Sequence, residues 1–188
     1  MTEAERVLDP IDWLSFEHRQ IDRVLVAMSE MTVRISAGAA PKHEFFAATI
    51  DFIERYADGS HHAKEESALF EEIWAQGFNR TGPLTSMMSQ HELGRDLTRS
   101  IKRWVRAEEH SRKKNLKGLL TAATQYTNLI WKHIATEDQI IFPAAKSSLS
   151  KESLARILVR YNKVDRVRPE EFRMAADSVV ALAGIASL

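Results

Sequence analysis

Two segments of the chain repeat one pattern. His61-His62-Ala63-Lys64-Glu65-Glu66-Ser67-Ala68-Leu69-Phe70 and His133-Ile134-Ala135-Thr136-Glu137-Asp138-Gln139-Ile140-Ile141-Phe142 align without a gap as a histidine, a carboxylate four residues on, an aliphatic residue and a phenylalanine. On a helix, residues four apart stand one above the other, about 6 Å along the axis, so each pair can offer an imidazole nitrogen and a carboxylate oxygen to one point. That geometry suits a metal ion. A further histidine precedes each pair in a similar phrase: His18, in Phe16-Glu17-His18-Arg19-Gln20, lies 43 residues before His61, and His91, in Ser89-Gln90-His91-Glu92-Leu93, lies 42 before His133. In a chain with seven histidines, matched offsets point to a duplicated helix hairpin closed about a pseudo-twofold axis, the arrangement that builds a site inside a four-helix bundle.

Helices must carry these residues, because strand patterns are nearly absent and helical periodicity is strong. The spacing predicts four long helices and two shorter ones. The first starts at Asp9-Pro10, an N-cap and a proline at the first helical position, and ends near Ala37-Gly38, with Ile11, Leu14, His18, Ile21, Leu25 and Met28 on one stripe. The second runs from Pro41 to about Gln76-Gly77 with Phe46, Ile50, Ile53, Ala57, His61, Glu65 and Leu69 on one face, and Gly59 predicts a local bend. Thr81-Gly82-Pro83 opens the third, whose inward row is Leu84, Met88, His91, Gly94, Thr98, Ile101 and Val105. The fourth covers roughly 115 to 147, with Tyr126, Ile130, His133, Glu137 and Ile141 together. Ser150 caps a fifth helix carrying Leu154, Ile157, Leu158 and Tyr161, and a sixth from Pro169 to about Leu182 is apolar through Phe172, Ala175, Ala176, Val179 and Val180. Residues 1–148 are thus expected to form the bundle, and 149–188 a helical extension that packs on it or pairs two copies as a homodimer.

In each long helix the histidine lies on the stripe that faces the core. A buried imidazole is satisfied by one hydrogen bond, but a buried ionised carboxylate without compensation costs several kcal/mol. A pair of divalent or trivalent cations would neutralise Glu65 and Glu137 and use the free nitrogens of all four rings.

Composition removes other chemistries. With 26 basic and 26 acidic residues the chain has no net field to gather nucleic acid. The one dense basic run, Arg112 to Lys117, falls where two helices join and is expected to be solvated. No cysteine is present, so disulfides, thiolate nucleophiles and cysteine-held zinc or iron–sulfur centres are excluded, and any metal must take nitrogen and oxygen donors. The opening residues Met1 to Arg6 lack an apolar core and no stretch approaches a membrane span, so no membrane partner and a cytoplasmic location are expected. A ferritin-like site needs two E-x-x-H motifs, a zincin needs H-E-x-x-H, and a hydrolase needs a nucleophile elbow; none of these is found. His43 and His110 fall outside the repeat near helix ends and are expected at the surface. Trp13, Phe16, Trp131 and Phe142 lie close to the ligand positions and are expected to keep the site dry.

The phrases E-H-x-x-I at Glu17 to Ile21, H-H-x-K-E-E-x-x-L-F at His61 to Phe70, H-E-x-G-R at His91 to Arg95 and H-x-x-x-E-D-x-x-I-F-P at His133 to Pro143 together resemble the hemerythrin-like (HHE) cation-binding family. The resemblance covers about residues 10 to 147. It implies an all-α, up-down four-helix bundle around a non-haem di-iron centre, here with two additional C-terminal helices. It further implies His18, His61, His91 and His133 as nitrogen ligands and Glu65 and Glu137 as carboxylates bridging two iron ions, with an oxo or hydroxo bridge and a vacancy for a small molecule; manganese or zinc also suits such donors. The oxygen carriers of the family have five histidines, including an H-x-x-x-H pair on the third helix, and Arg95 stands where the second of that pair would be. They also end with H-x-x-x-x-D, so Asp138 competes with Glu137; the internal repeat favours Glu137. The same register favours His61 over His62 and Glu65 over Glu66, since neighbours lie 100° apart on an α-helix. By resemblance the chain binds a small diatomic ligand, O2 or NO, or reacts with peroxide or NO in sensing or stress protection, with an unidentified redox partner. Iron storage or donation, including repair of iron–sulfur centres, is the alternative.

Overall fold

A computed structural model describes residues 9–77, 82–164 and 167–184. The described residues form seven helices and no strand. The first four long rods are α1 (Pro10–Ser36), α2 (residues 43–75), α3 (Pro83–Arg106) and α5 (residues 116–148), with the short α4 (Glu109–Lys114) joining α3 to α5. Two helices follow, α6 (Lys151–Val164) and α7 (Pro169–Ala183). The fold is the all-α bundle with two added C-terminal helices. Thr81, expected at the start of the third helix, and Met1 to Arg6 lie outside the described residues.

The termini form for local reasons. Asp9 caps α1 by accepting the Ile11 N–H at 2.8 Å, with Pro10 at the first helical position. Ser150 accepts the Ser153 N–H at 3.2 Å and so starts α6. The α1 and α2 rods end at Gly38 and Gly77, both at positive φ, where a side chain would be strained.

Within α2 the local structure departs from expectation. Instead of a bend at Gly59, residues Ile53–His62 form a π-helix, and a second π turn spans Glu65–Leu69. The matching turn of α5, Glu137–Ile141, is also π-helical. The Phe70 N–H bonds to the Glu65 carbonyl and the Phe142 N–H to the Glu137 carbonyl, so the carboxylate-to-phenylalanine spacing shared by the two repeats is the length of one π turn. Gly59 is what the long π segment requires. A Cβ there would stand 2.7 Å from the Glu54 carbonyl oxygen, five residues back.

Apolar burial lies in two blocks. One gathers Leu25, Met28, Phe46, Ile50, Ile101, Trp104 and Ile130, and the other Ile11, Leu14, Leu69, Phe70, Leu84, Phe142 and Ile157. The histidines and glutamates of the repeat lie between these blocks in sequence. On α3, Met87 and Trp104 are buried while Met88 and Val105, expected inside, are half-buried. The apolar face of α7 is turned to α1 and α2: Phe172 meets Phe52 and Tyr56 edge-on, and Arg34 and Lys42 donate to the Ala183 and Leu182 carbonyls. The basic run closes α4 and opens α5, with Lys113, Lys114 and Lys117 exposed and the half-buried Arg112 laying its guanidinium over the Trp104 ring. Among the described residues no helix is long and apolar enough to cross a membrane.

Candidate metal centre

Four rods carry the donors inward. α1 supplies His18, α2 supplies His61, His62 and Glu65, α3 supplies His91, and α5 supplies His133 and Glu137; each is at most 4 % exposed. They form two groups able to hold an ion, His18 with His61, Glu65 and Glu137, and His62 with Glu65, His91 and His133, the donor atoms of each group lying within 4.8 Å of one another. Glu65 belongs to both groups. Its Oε1 is 3.4 Å from His61 Nε2, and its Oε2 is 3.5 Å from His91 Nε2. Glu137 Oε2 lies 3.3 Å from His18 Nε2 and 3.1 Å from His133 Nε2, so this carboxylate also stands between the two halves. All six residues expected from the repeat therefore meet in one place.

His62 was expected to face elsewhere and does not. A rotation of 100° per residue would turn His62 aside, but a π turn rotates less, and with Ile53–His62 in that form both His61 and His62 reach the interior. The His62 ring stacks on His91 at 3.9 Å between centroids and 15° between planes. A fifth histidine, missing from α3, is thus present on α2. The H-H doublet was its signal in the sequence.

The outward ring nitrogens follow the same twofold pattern. His61 Nδ1 lies 3.0 Å from Glu17 and His133 Nδ1 lies 3.2 Å from Gln90, the residues that precede the two lone histidines. His18 Nδ1 is 2.8 Å from Asp138 and His91 Nδ1 is 2.7 Å from Glu66, the residues that follow the two central glutamates. Asp138 thus holds His18 from outside, while Glu137 faces in. Phe142 stacks on His18 with 9° between planes, and its counterpart Phe70 stacks on His91 with 13°. Each ring is fixed so that Nε2 points to the centre, the orientation that outer partners give to metal-binding imidazoles.

Two charged residues complete the frame. Lys64, fully buried beside the repeat, bonds to Glu17 and to Ser60 at 3.0 Å, and the Trp13 indole N–H donates to Glu17 at 2.9 Å. Arg95, in place of the carriers' histidine, donates to Asp58 and Glu66 at 2.8 Å, and Asp58 in turn faces His62 Nδ1 at 3.4 Å. Tyr161 of α6 meets Trp13 edge-on, lies 6.0 Å from the Lys64 ammonium and covers the α1/α2 side of the centre. Sequence reasoning missed these supports. His43, expected at the surface, is half-buried and bonds to the Val105 carbonyl at 2.8 Å, whereas His110 is exposed.

Burial, and then Glu137, push Glu65 well above the usual carboxylate range. Burial also opposes ionisation of Glu137, but His133 and His18 outweigh it and hold that carboxyl low. Burial would lower His18, yet the Asp138 hydrogen bond and Glu137 raise it to about 9. Burial and neighbouring cationic groups keep His61 and His62 neutral, with lone pairs available. His18 Nε2, His61 Nε2 and all four oxygens of Glu65 and Glu137 are buried without an aligned hydrogen bond. Such orphaned polar atoms are rare in folded proteins, and bound cations resolve them. His91 Nε2 and His133 Nε2 stand 3.1 Å apart, about the separation of two nitrogens each roughly 2.1 Å from one ion at a right angle. The two groups have the donors, burial and spacing that fit a metal-binding site.

A family model for the hemerythrin HHE cation binding domain matches residues 9–145. No curated protein and no solved structure matches the chain.

Proposed function

The chain belongs to the hemerythrin HHE cation-binding family, and from that premise we propose that it holds two iron ions and uses them to bind O2 or NO, or to react with peroxide or NO, in a sensing or stress-protection role. His18 and His61 would hold one ion, and His91 and His133, with His62 beside them, the other, with Glu65 and Glu137 supplying the carboxylate oxygens. The reading is carried by His18, His61, Glu65 and Glu137 of three rods, which hold six buried, orphaned polar atoms and bring one ligand atom each within 4.8 Å of the others.

Iron bound in this cage supplies redox chemistry and an open coordination position for a small molecule. The chain's own groups do the rest. Glu17, Gln90, Glu66 and Asp138 orient the rings through their outer nitrogens. Phe70, Phe142 and Tyr161 exclude water from the flanks. The halves are unequal, because His61 faces the carboxylate of Glu17 where His133 faces the neutral amide of Gln90, and a carboxylate partner raises ligand basicity. The full burial of Glu65 and Glu137 favours a resident cofactor over rapid donation of iron.

Adding O2, NO and hydrogen peroxide separately to the reduced, iron-loaded protein, and following the visible spectrum, tests the proposal. A reversible adduct assigns binding, and sustained consumption assigns turnover. An unchanged spectrum with all three refutes it.

A further inference from the structure

The centre is closed by α6 on the α1/α2 side, but between the π segment of α2 and α3 a cavity of about 160 Å³ ends on the rings of His62 and His91. About 10–15 Å³ is enough for one water-sized molecule, so there is room for several. Its wall contains Gly94, in the middle of α3. A Cβ at Gly94 would meet Ile130 and Tyr126 no closer than 3.7 Å, ordinary contact. Packing therefore does not demand a glycine, and alanine would favour the helix by roughly 1 kcal/mol. Gly94 lines the cavity along with the stacked histidines, and a larger side chain there would narrow it.

The rim carries charge, but in matched sets. Arg95 is held by Asp58, Glu66 and Glu92, Glu54 is paired with Lys102, and Arg99 with Asp96. Little field remains to draw in an ion. The wall between rim and floor is largely apolar, through Ile53, Gly94 and the Tyr126 ring, and carries two polar groups: Thr98 spends its hydroxyl proton on the Gly94 carbonyl at 2.8 Å and keeps its oxygen as an acceptor, while burial and the Asp58 charge keep the Tyr126 phenol protonated, a donor.

We propose that this cavity is the access route to the metal pair, and that it admits small neutral molecules able both to donate and to accept hydrogen bonds, hydrogen peroxide being the smallest such probe. The assignment rests on the metal-site reading above, and deepens it by naming the side of approach and the substrate class.

The cysteine-free chain allows a direct test. Thr98→Cys places a single thiol in the cavity wall, and Asn128→Cys places one on the exposed face of α5. Neutral methyl methanethiosulfonate should label position 98 at least tenfold faster than its anionic sulfonatoethyl analogue, relative to their ratio at position 128. Methylthiolation at position 98 should leave iron content unchanged and slow the reaction with hydrogen peroxide at least tenfold against the same variant unlabelled. It should slow association of O2 less. Labelling at position 128 should change neither. Gly94→Val, which fills the same space without a reagent, should slow peroxide similarly. An unchanged peroxide rate after complete labelling, equal selection of the two reagents, equal slowing of O2, or loss of iron on labelling would overturn the proposal. A parent protein that binds no metal would instead refute the metal-site reading, and the labelling ratio would still decide the cavity's selectivity.

Discussion

Replacing Gly59 by alanine separates a π-helical α2 from an ordinary one by the sign of the effect. In an α-helix interior, glycine to alanine stabilises by about 1 kcal/mol. Here the new Cβ would lie 2.7 Å from the Glu54 carbonyl oxygen, a backbone atom that cannot swing aside. Either the turn opens, at an overpacking cost of about 1–3 kcal/mol, or it tightens to α-helical form and rotates one of His61 and His62 out of the core. Both outcomes lower stability, and the second also removes a donor from the metal cage. Urea denaturation of the metal-free variant should show a net loss of up to about 2 kcal/mol, the overpacking cost less the helix-propensity gain, with a fall in the number of ions retained after dialysis against a chelator. A variant more stable than the parent by about 1 kcal/mol, with its metal content intact, would refute the argument that the π segment sets the positions of the two histidines.

Exchanging the two carboxylates of α5 should have unequal effects: Glu137→Gln should lose an ion, whereas Asp138→Asn, which touches only the outer nitrogen of His18, should weaken metal binding about 10–100-fold in a competition titration. Glu17→Gln removes the carboxylate that faces the buried ammonium of Lys64 and should destabilise the fold by about 3–5 kcal/mol, while Glu17→Gln with Lys64→Met should recover most of that loss in thermal unfolding. Arg156 of α6 hydrogen-bonds the buried Glu72 carboxylate and holds its pKa below the usual range. A depressed folded-state pKa gives stability that is present above the ordinary carboxylate pKa and is lost as pH falls through the depressed one. Arg156→Ala should therefore be less stable than the parent at pH 7, with the difference shrinking towards zero in acid, as read by denaturant midpoints across pH.

The helices, their caps and the convergence of four histidines with two glutamates could be read from the sequence because period and repeat encode them directly. Asp9-Pro10 and Ser150 are local signals, and the offsets of 43 and 42 residues fix which faces meet. The π turns were not legible, since apolar spacing over a few residues does not distinguish one turn width from another. Only Gly59 and the His61-His62 doublet hinted at them. The supporting contacts were missed for another reason: Glu17 with His61, Asp138 with His18 and Arg95 with Glu66 join different rods, and helical periodicity describes only the face of one rod. Once the fold is known the doublets Glu65-Glu66 and Glu137-Asp138 become readable, the first carboxylate facing in and the second holding a histidine of another helix.

The central claim is most directly tested by metal analysis of the chain purified without added metal, alongside His61→Ala and Glu65→Ala. The expected result is two iron ions per parent chain and the loss of at least one in each variant. A parent free of metal, or both ions retained in both variants, would contradict the account.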